Sequence, residues 1–278
     1  MESRTGEGEH LDQAGFYFLR RPGDEMAATT PLRMTSMQNL RVVLVATRNP
    51  LNIGAVARAM SNFGASRLRV VNPYERAFRD AVSAVGAVTV LREAEECVSV
   101  EEAVTDCGLV VGTTAIGNRD IKHPLRSLDK AGTVIRRHLA RENVAILFGS
   151  EKKGLSNDDL SYCHWLLHIP TCEGHQSMNL GQAAAVCLWE LARGSKSIEE
   201  GVRRGSAKME IAERITASVL QCLLNSGYVA ARSKELAEEK LRRMLRRFSL
   251  DEADAEVFLG MVRKIEDELK RKKPESTN

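Results

Sequence analysis

No GxGxxG fingerprint occurs anywhere in the 278 residues. Its absence excludes the common dinucleotide-binding and class I methyltransferase arrangements, which need that turn after their first strand. Asn72-Pro73 also stands where those arrangements carry an acidic residue. No apolar stretch approaches the ~18 residues that span a bilayer, so no membrane partner is expected. The N-terminal segment lacks the apolar core of a signal peptide. The cysteines, at 97, 107, 163, 172, 187 and 222, form neither a CxxC pair nor a tight Cys/His cluster. Neither a metal site nor a disulfide framework is expected, and free thiols suit a reducing cytoplasm. A further deficit is subtler. "FGSEKKGLS" supplies Gly149-x4-Gly154, the glycine frame of a P-loop, but Leu155 stands where the phosphate-neutralising lysine belongs. That residue removes an NTPase reading and leaves a glycine-hinged turn carrying backbone N–H groups and the Glu151 carboxylate.

What is present is a core of ample size, at 43% hydrophobic residues. The formal charge of +3 is small, yet Lys and Arg gather near residues 203–208, 240–247 and 268–273. Such clusters suit an anionic partner, RNA in preference to membrane, although a solvated helix face explains them too.

Residues 1–38 read as a disordered extension, with Met34 or Met37 the more economical start. From 39 to 193 short β-branched runs alternate with helical patterns. Strands are expected at Arg41–Ala46, Leu68–Val71, Val88–Leu91, Leu109–Thr113, Val144–Phe148 and Trp165–Ile169. Helices are expected at Ile53–Phe63, Phe78–Gly86, Val100–Cys107, Ala131–Arg141, Asn157–Cys163 and Asn179–Arg193. Such alternation predicts an α/β fold with a parallel sheet covered on both faces. Its ligand would lie beyond the carboxyl ends of the strands. Residues 194–207 form a linker, and 208–278 carry helical spacing alone, over Ile211–Ser226, Ser233–Phe248 and Asp251–Lys272.

The loops after the strands carry the chemistry. "NPLNIGAVARAM" plunges from the first strand into a helix, so Asn52 and Arg58 are either a cap and a solvated charge or a substrate grip. Thr113 and Thr114 end a strand and could wall an adenosine pocket. In "HQSMNLGQ", Ser177 and Asn179 suit helix N-caps and equally the polar groups of a ligand.

Together these loops resemble the SpoU branch of the SPOUT RNA methyltransferases. The matching motifs are Asn52-Ile-Gly54-x3-Arg58, Phe148-Gly149-x-Glu151-x2-Gly154-Leu-Ser156 and Ser177-Met-Asn179-Leu180, in that order and each after a strand. "RVVLVATRNPLNIGAVARAM", "CHWLLHIP" and the tail with "KLRRMLRRF" resemble its TrmJ-type tRNA 2'-O-methyltransferases, from 39 to about 270. The resemblance implies a parallel sheet whose C-terminal part threads a trefoil knot, and a homodimer. It implies S-adenosylmethionine bound by Thr113, Thr114, Ala115, Gly149, Ile169, Gln176, Ser177, Met178 and Leu180. One protomer's Arg58 would meet the partner's cofactor site, with Asn52, Glu151, Ser177 and Asn179 completing the catalytic group. Asn52 is expected to cap its helix. Arg119 takes the place, shifted along the chain, of an Arg that the TrmJ type sets after Thr-x-Ala; here Ile116 stands there.

The activity so implied is 2'-O-methylation of a C or U at the start of the tRNA anticodon loop. The alternatives are an rRNA 2'-O-methyltransferase or a catalytically silent RNA-binding relative. An ordinary guanidinium accepts no proton, so Arg58 is expected to act as a fork on the RNA phosphate and 2'-oxygen. Lys240, Arg243 and Arg247, with Arg242 and Arg246 beside them, would offer RNA a basic face while Leu241, Met244 and Leu245 pack. The cofactor site would then stand without the tail.

Overall fold

The structure, a computed structural model, describes residues 37–73, 88–115, 122–173, 177–193 and 206–272. The expected helix Phe78–Gly86, residues 1–36, Ile116, Arg119, Gln176 and most of the 194–207 linker lie outside the described residues.

Strand β1, Leu40–Val45, shows why a parallel sheet forms. Leu40, Val42 and Leu44 pack on one face and Val43 and Val45 on the other, all nearly inaccessible to solvent. A strand apolar on both sides has to be covered twice. The sheet also contains β2 (Arg67–Val71), β3 (Glu95–Cys97), β4 (Leu109–Thr113), β5 (Leu125–Ser127), β6 (Val144–Phe148) and β7 (Trp165–His168). It is seven-stranded in the order β3-β2-β1-β6-β4-β7-β5, and every pairing is parallel. Register places Ile146 between Val42 and Val111, so the most buried strands, β1, β6 and β4, are neighbours.

One face is covered by α1 (Pro50–Asn62), α2 (Val88–Arg92), α4 (Leu128–Leu139) and α6 (Leu180–Ala192). The other carries α3 (Val100–Val104) and α5 (Asn157–Ser161), with Met209 buried among them. Met209 opens the tail, which comprises α7 (Met209–Asn225), a 3-10 turn at Ala231–Ser233, α8 (Lys234–Arg246) and α9 (Glu252–Lys272). Ile215, Leu245, Ala255 and Leu259 give these helices a core of their own.

The expected strand Val88–Leu91 is instead the helix α2, and the strand follows it at Glu95–Cys97. β-Branched composition suggested a strand, but Val90 and Leu91 are buried one helical turn's side against the sheet, where tertiary packing overrides propensity. The short edge strand β5 is an element the sequence reading did not contain. In the tail the buried face of α8 is Arg242, Leu245 and Arg246, whereas Met244 is exposed. The anticipated Leu241/Met244/Leu245 packing stripe and the five-residue basic face are therefore both corrected.

Candidate active site

Beyond the carboxyl ends of β4, β6 and β7 lies a cavity of about 500 Å³. Its walls come from the segments after those strands: Thr113 to Ala115, Phe148 to Leu155, Ile169 and Thr171, and Ser177 to Leu180, together with Asn52 of α1. Every described residue expected at the cofactor lines it, namely Thr113, Thr114, Ala115, Gly149, Ile169, Ser177, Met178 and Leu180.

The loop after β6 owes its shape to its glycines. Gly154 has a φ of 67° and donates its N–H to the Ser150 carbonyl at 2.8 Å. A Cβ on Gly149 would stand 2.1 Å from the Gly154 carbonyl carbon, so only glycine allows this pinch. Leu155, where a P-loop would carry lysine, is buried at 1% exposure and anchors the loop in the core. Ser156 and Asp159 then form a capping box that starts α5.

The loop after β1 corrects one expectation. Asn49, not Asn52, caps α1: its side chain accepts the Leu51 N–H at 3.0 Å, and Pro50 occupies the first helical position. Asn52 sits within the first turn and is buried at 7% exposure, aimed across the site. Its Nδ2 donates to Glu151 Oε1 at 2.9 Å, and its Oδ1 accepts from Asn179 Nδ2 at 3.0 Å. Asn179 in turn caps α6, its Oδ1 accepting the N–H groups of Gly181 at 2.9 Å and Gln182 at 3.4 Å. Those backbone donors fix which end of the Asn179 amide is oxygen, which fixes the Asn52 amide, which aims its donor at Glu151.

Glu151 also accepts the N–H of Asn49 on Oε1 at 3.3 Å and that of Arg48 on Oε2 at 3.4 Å. Partial burial alone would raise this carboxyl. The Asn52 amide and the surrounding backbone donors outweigh it and hold the group below its ordinary value. The site therefore presents a fixed carboxylate at neutral pH.

Arg58 stands elsewhere. It is exposed on α1, on the face shared by Leu51 and Ala55, and does not line the cavity. α6 packs beside α1, with so little room that a Cβ on Gly181 would meet Ala55 Cβ at 2.6 Å. α6 exposes Val186 and Trp189, the latter at 50% and packed on Phe63 at the C-terminal end of α1, while Leu51 at the other end of α1 is 77% exposed. Lys240 on α8 and Arg247, its C-cap, are exposed, far along the chain from the cavity segments, and Arg243 pairs with Glu239 at 3.0 Å. Lys152 and Lys153 at the cavity, which the motif reading passed over, were legible only as charges in the glycine-hinged loop.

Among the described residues no group of His, Cys, Asp and Glu could hold a metal ion, and no helix is long and apolar enough to cross a membrane.

The model of the SpoU rRNA Methylase family matches residues 39–189, a stretch that holds the entire cavity. The chain belongs to the SpoU methylase family. Among curated members of that family, the tRNA (cytidine/uridine-2'-O-)-methyltransferase TrmJ of Sodalis glossinidius is 31% identical, with 86% of this chain and 95% of that one aligned. The TrmJ of Salmonella typhimurium is 30% identical, over 85% of this chain and all of that one. Among solved SpoU-type folds, TrmJ from Z. mobilis ZM4 superposes with a TM-score of 0.71 at 29% identity, covering 81% of this chain and 98% of that one. A probable methylase family protein from Haemophilus influenzae Rd KW20 gives 0.51 at 27% identity, over 85% and 100%. Both alignments run past the family match into the helical tail.

Proposed function

We propose that this chain is a cytoplasmic, homodimeric tRNA 2'-O-ribose methyltransferase that uses S-adenosylmethionine and acts on a C or U at the start of the anticodon loop. The observation that carries the reading is the Glu151–Asn52–Asn179 chain at the mouth of a cavity built by three strand-end loops. The relatives' names support the tRNA substrate.

The cavity suits the cofactor. Phe148, Leu155, Leu167, Ile169 and Leu180 provide apolar wall for a base, and the Thr113–Ala115 and Gly149–Gly154 segments provide backbone groups for its polar ends. Convergence of these loops on one cavity is also what a knotted SPOUT fold requires. When bound, the cofactor supplies a methyl group on a sulfonium, a good leaving group that needs no Lewis acid. The protein's work is then positioning and help for the ribose hydroxyl. Glu151, held ionised, accepts a hydrogen bond and orients the hydroxyl. Ser177 and Asn179 border the same opening, and Lys152 and Lys153 draw phosphate towards it.

Arg58, which does not line its own chain's cavity, serves the partner's in this reading, as the family resemblance implies. Exposed apolar side chains on the same helix pair, Leu51 of α1 and Val186 and Trp189 of α6, give the dimer apolar contacts. From there the Arg58 fork holds the RNA phosphate and 2'-oxygen, and that phosphate or water takes the hydroxyl proton as the methyl group is transferred. The exposed Lys240 and Arg247 extend the RNA-binding surface, whereas Arg243 is only 14% exposed and paired with Glu239; for Arg119 an RNA contact rests on the family resemblance alone.

Methyl transfer from tritium-labelled cofactor to bulk tRNA and to rRNA tests the reading. Label in tRNA, lost in Arg58→Ala, is expected. Label in rRNA alone would select the rRNA enzyme, and RNA binding without transfer the silent relative.

A further inference from the structure

We infer that the helical tail sets the shape of the cofactor loop, with Arg242 as the positioning residue that connects them. The inference rests on reading the cavity as the cofactor site. Loop Gly149–Ser156 forms one wall of that cavity and continues directly into α5. At five residues α5 is too short to be stable alone, so whatever holds it holds the end of the loop. From the inside, Leu155 and Leu160 are embedded in the core. From the outside, the clamp is Arg242 of α8.

Arg242 is buried, its side chain 6% exposed. Nη1 donates to Ser161 Oγ at 3.0 Å and lies 3.6 Å from the Asp158 carboxylate, both on α5. The guanidinium also stacks 4.3 Å from the ring centre of Tyr162, the residue that ends α5. Its remaining edges are held by the tail itself: Nε on Glu213 of α7 at 3.0 Å and Nη2 on Glu238 at 3.0 Å. A planar fork gripped on two edges by carboxylates has one edge left to present, and it presents it to α5. A surface for RNA would leave this guanidinium in solvent. Instead the tail directs this buried charge to the element that follows the cofactor loop. Because Gly149 is pinched against Gly154, a shift of α5 cannot be absorbed by loosening the turn and passes to the cavity wall.

The experiment uses the full chain. Arg242→Met should weaken S-adenosylmethionine binding, measured by calorimetry, on the order of tenfold. kcat at saturating cofactor should stay within about twofold, so that the change falls on KM. Ser161→Ala, which removes the hydroxyl acceptor on α5 and leaves the grip of Glu213 and Glu238 intact, should move cofactor affinity in the same direction by a smaller factor, with a smaller loss of Tm than Arg242→Met. Lys264→Ala, the loss of a 70% exposed tail charge, should change neither. Hydrogen exchange without ligand completes the set: amides of Gly149–Ser156 should exchange faster in Arg242→Met and Ser161→Ala than in the parent. Unchanged cofactor affinity and unchanged loop exchange in Ser161→Ala, or in a folded Arg242→Met, would overturn the inference. If the parent chain binds no S-adenosylmethionine, the cofactor reading fails, and the exchange data still decide whether the tail sets the loop.

Discussion

Asn52 donates its side-chain amide to Glu151 at 2.9 Å although the two are 99 positions apart. Asn179 closes the same line from the other side. The order of donors and acceptors is one-way, because each amide has a single orientation that satisfies its neighbours. Asn52→Asp should therefore be worse than a simple loss of contact. It sets an oxygen against Glu151 and leaves that carboxylate without its strongest side-chain donor. We expect at least a hundredfold loss of methyl transfer, and a stability loss of about 1–3 kcal/mol by urea denaturation. Wild-type activity in the Asp variant would show that the line of amides has no bearing on the reaction.

The Glu151 carboxyl has a pH signature. Its folded value is depressed, so its stabilising contribution is complete above the ordinary value of about 4.3 and disappears as pH falls through the lower folded value. Cofactor binding should accordingly be flat from neutrality to about pH 5, as far as this group is concerned. Glu151→Gln should not restore function by imitating the shape. One amide end can accept from Asn52, but the other sets N–H against the Arg48 N–H. A Gln variant with intact turnover across this range would contradict the account.

Complementation tests Arg58. Separately, Arg58→Ala and Asn179→Ala should each be inactive, for different reasons. Mixed and allowed to exchange subunits, they should recover about a quarter of the parental rate, since half the dimers are mixed and each holds one complete site. No recovery, with exchange confirmed by mass, would place Arg58 at its own chain's site.

Glu213 is the shared anion of two buried cations, Arg242 and Arg246, whose side chains are 6% and 1% exposed. Glu213→Ala should cost about 3–5 kcal/mol, because it strands Arg246 and takes from Arg242 one of the two tail carboxylates that grip it. Replacing Glu213 and Arg246 together by Leu and Met should cost much less. Equal losses would mean that packing, and not charge compensation, governs this junction.

The elements that were legible and those that were not differ in burial. β4 and β6 match their expected limits because strands covered on both faces must be apolar throughout. β3 and β5 lie at the sheet's two edges, and Glu95, Glu96, Leu125 and Arg126 are exposed there, so no apolar pattern marks them. The site motifs were readable as residue types, and their order of contact was not. Asn49-Pro50 carried the cap signal that displaced Asn52 from that role. The α8 error is of another kind. Arg242 and Arg246 look solvent-bound in a helical pattern, and partners on other elements, Glu213 of α7 for both and α5 for Arg242, make their burial tolerable.

The contact between Asn179 and Asn52 joins positions 127 residues apart and brings α6 back against α1. On a ribosome adding about 5–20 residues per second, roughly 6–25 s pass between the synthesis of these two asparagines. Throughout that interval the emerging chain has its first motif and lacks the last. A half-made enzyme would therefore have no closed cavity with which to sequester cofactor, and methylating capacity arrives only as the final helix of the sheet domain leaves the exit tunnel.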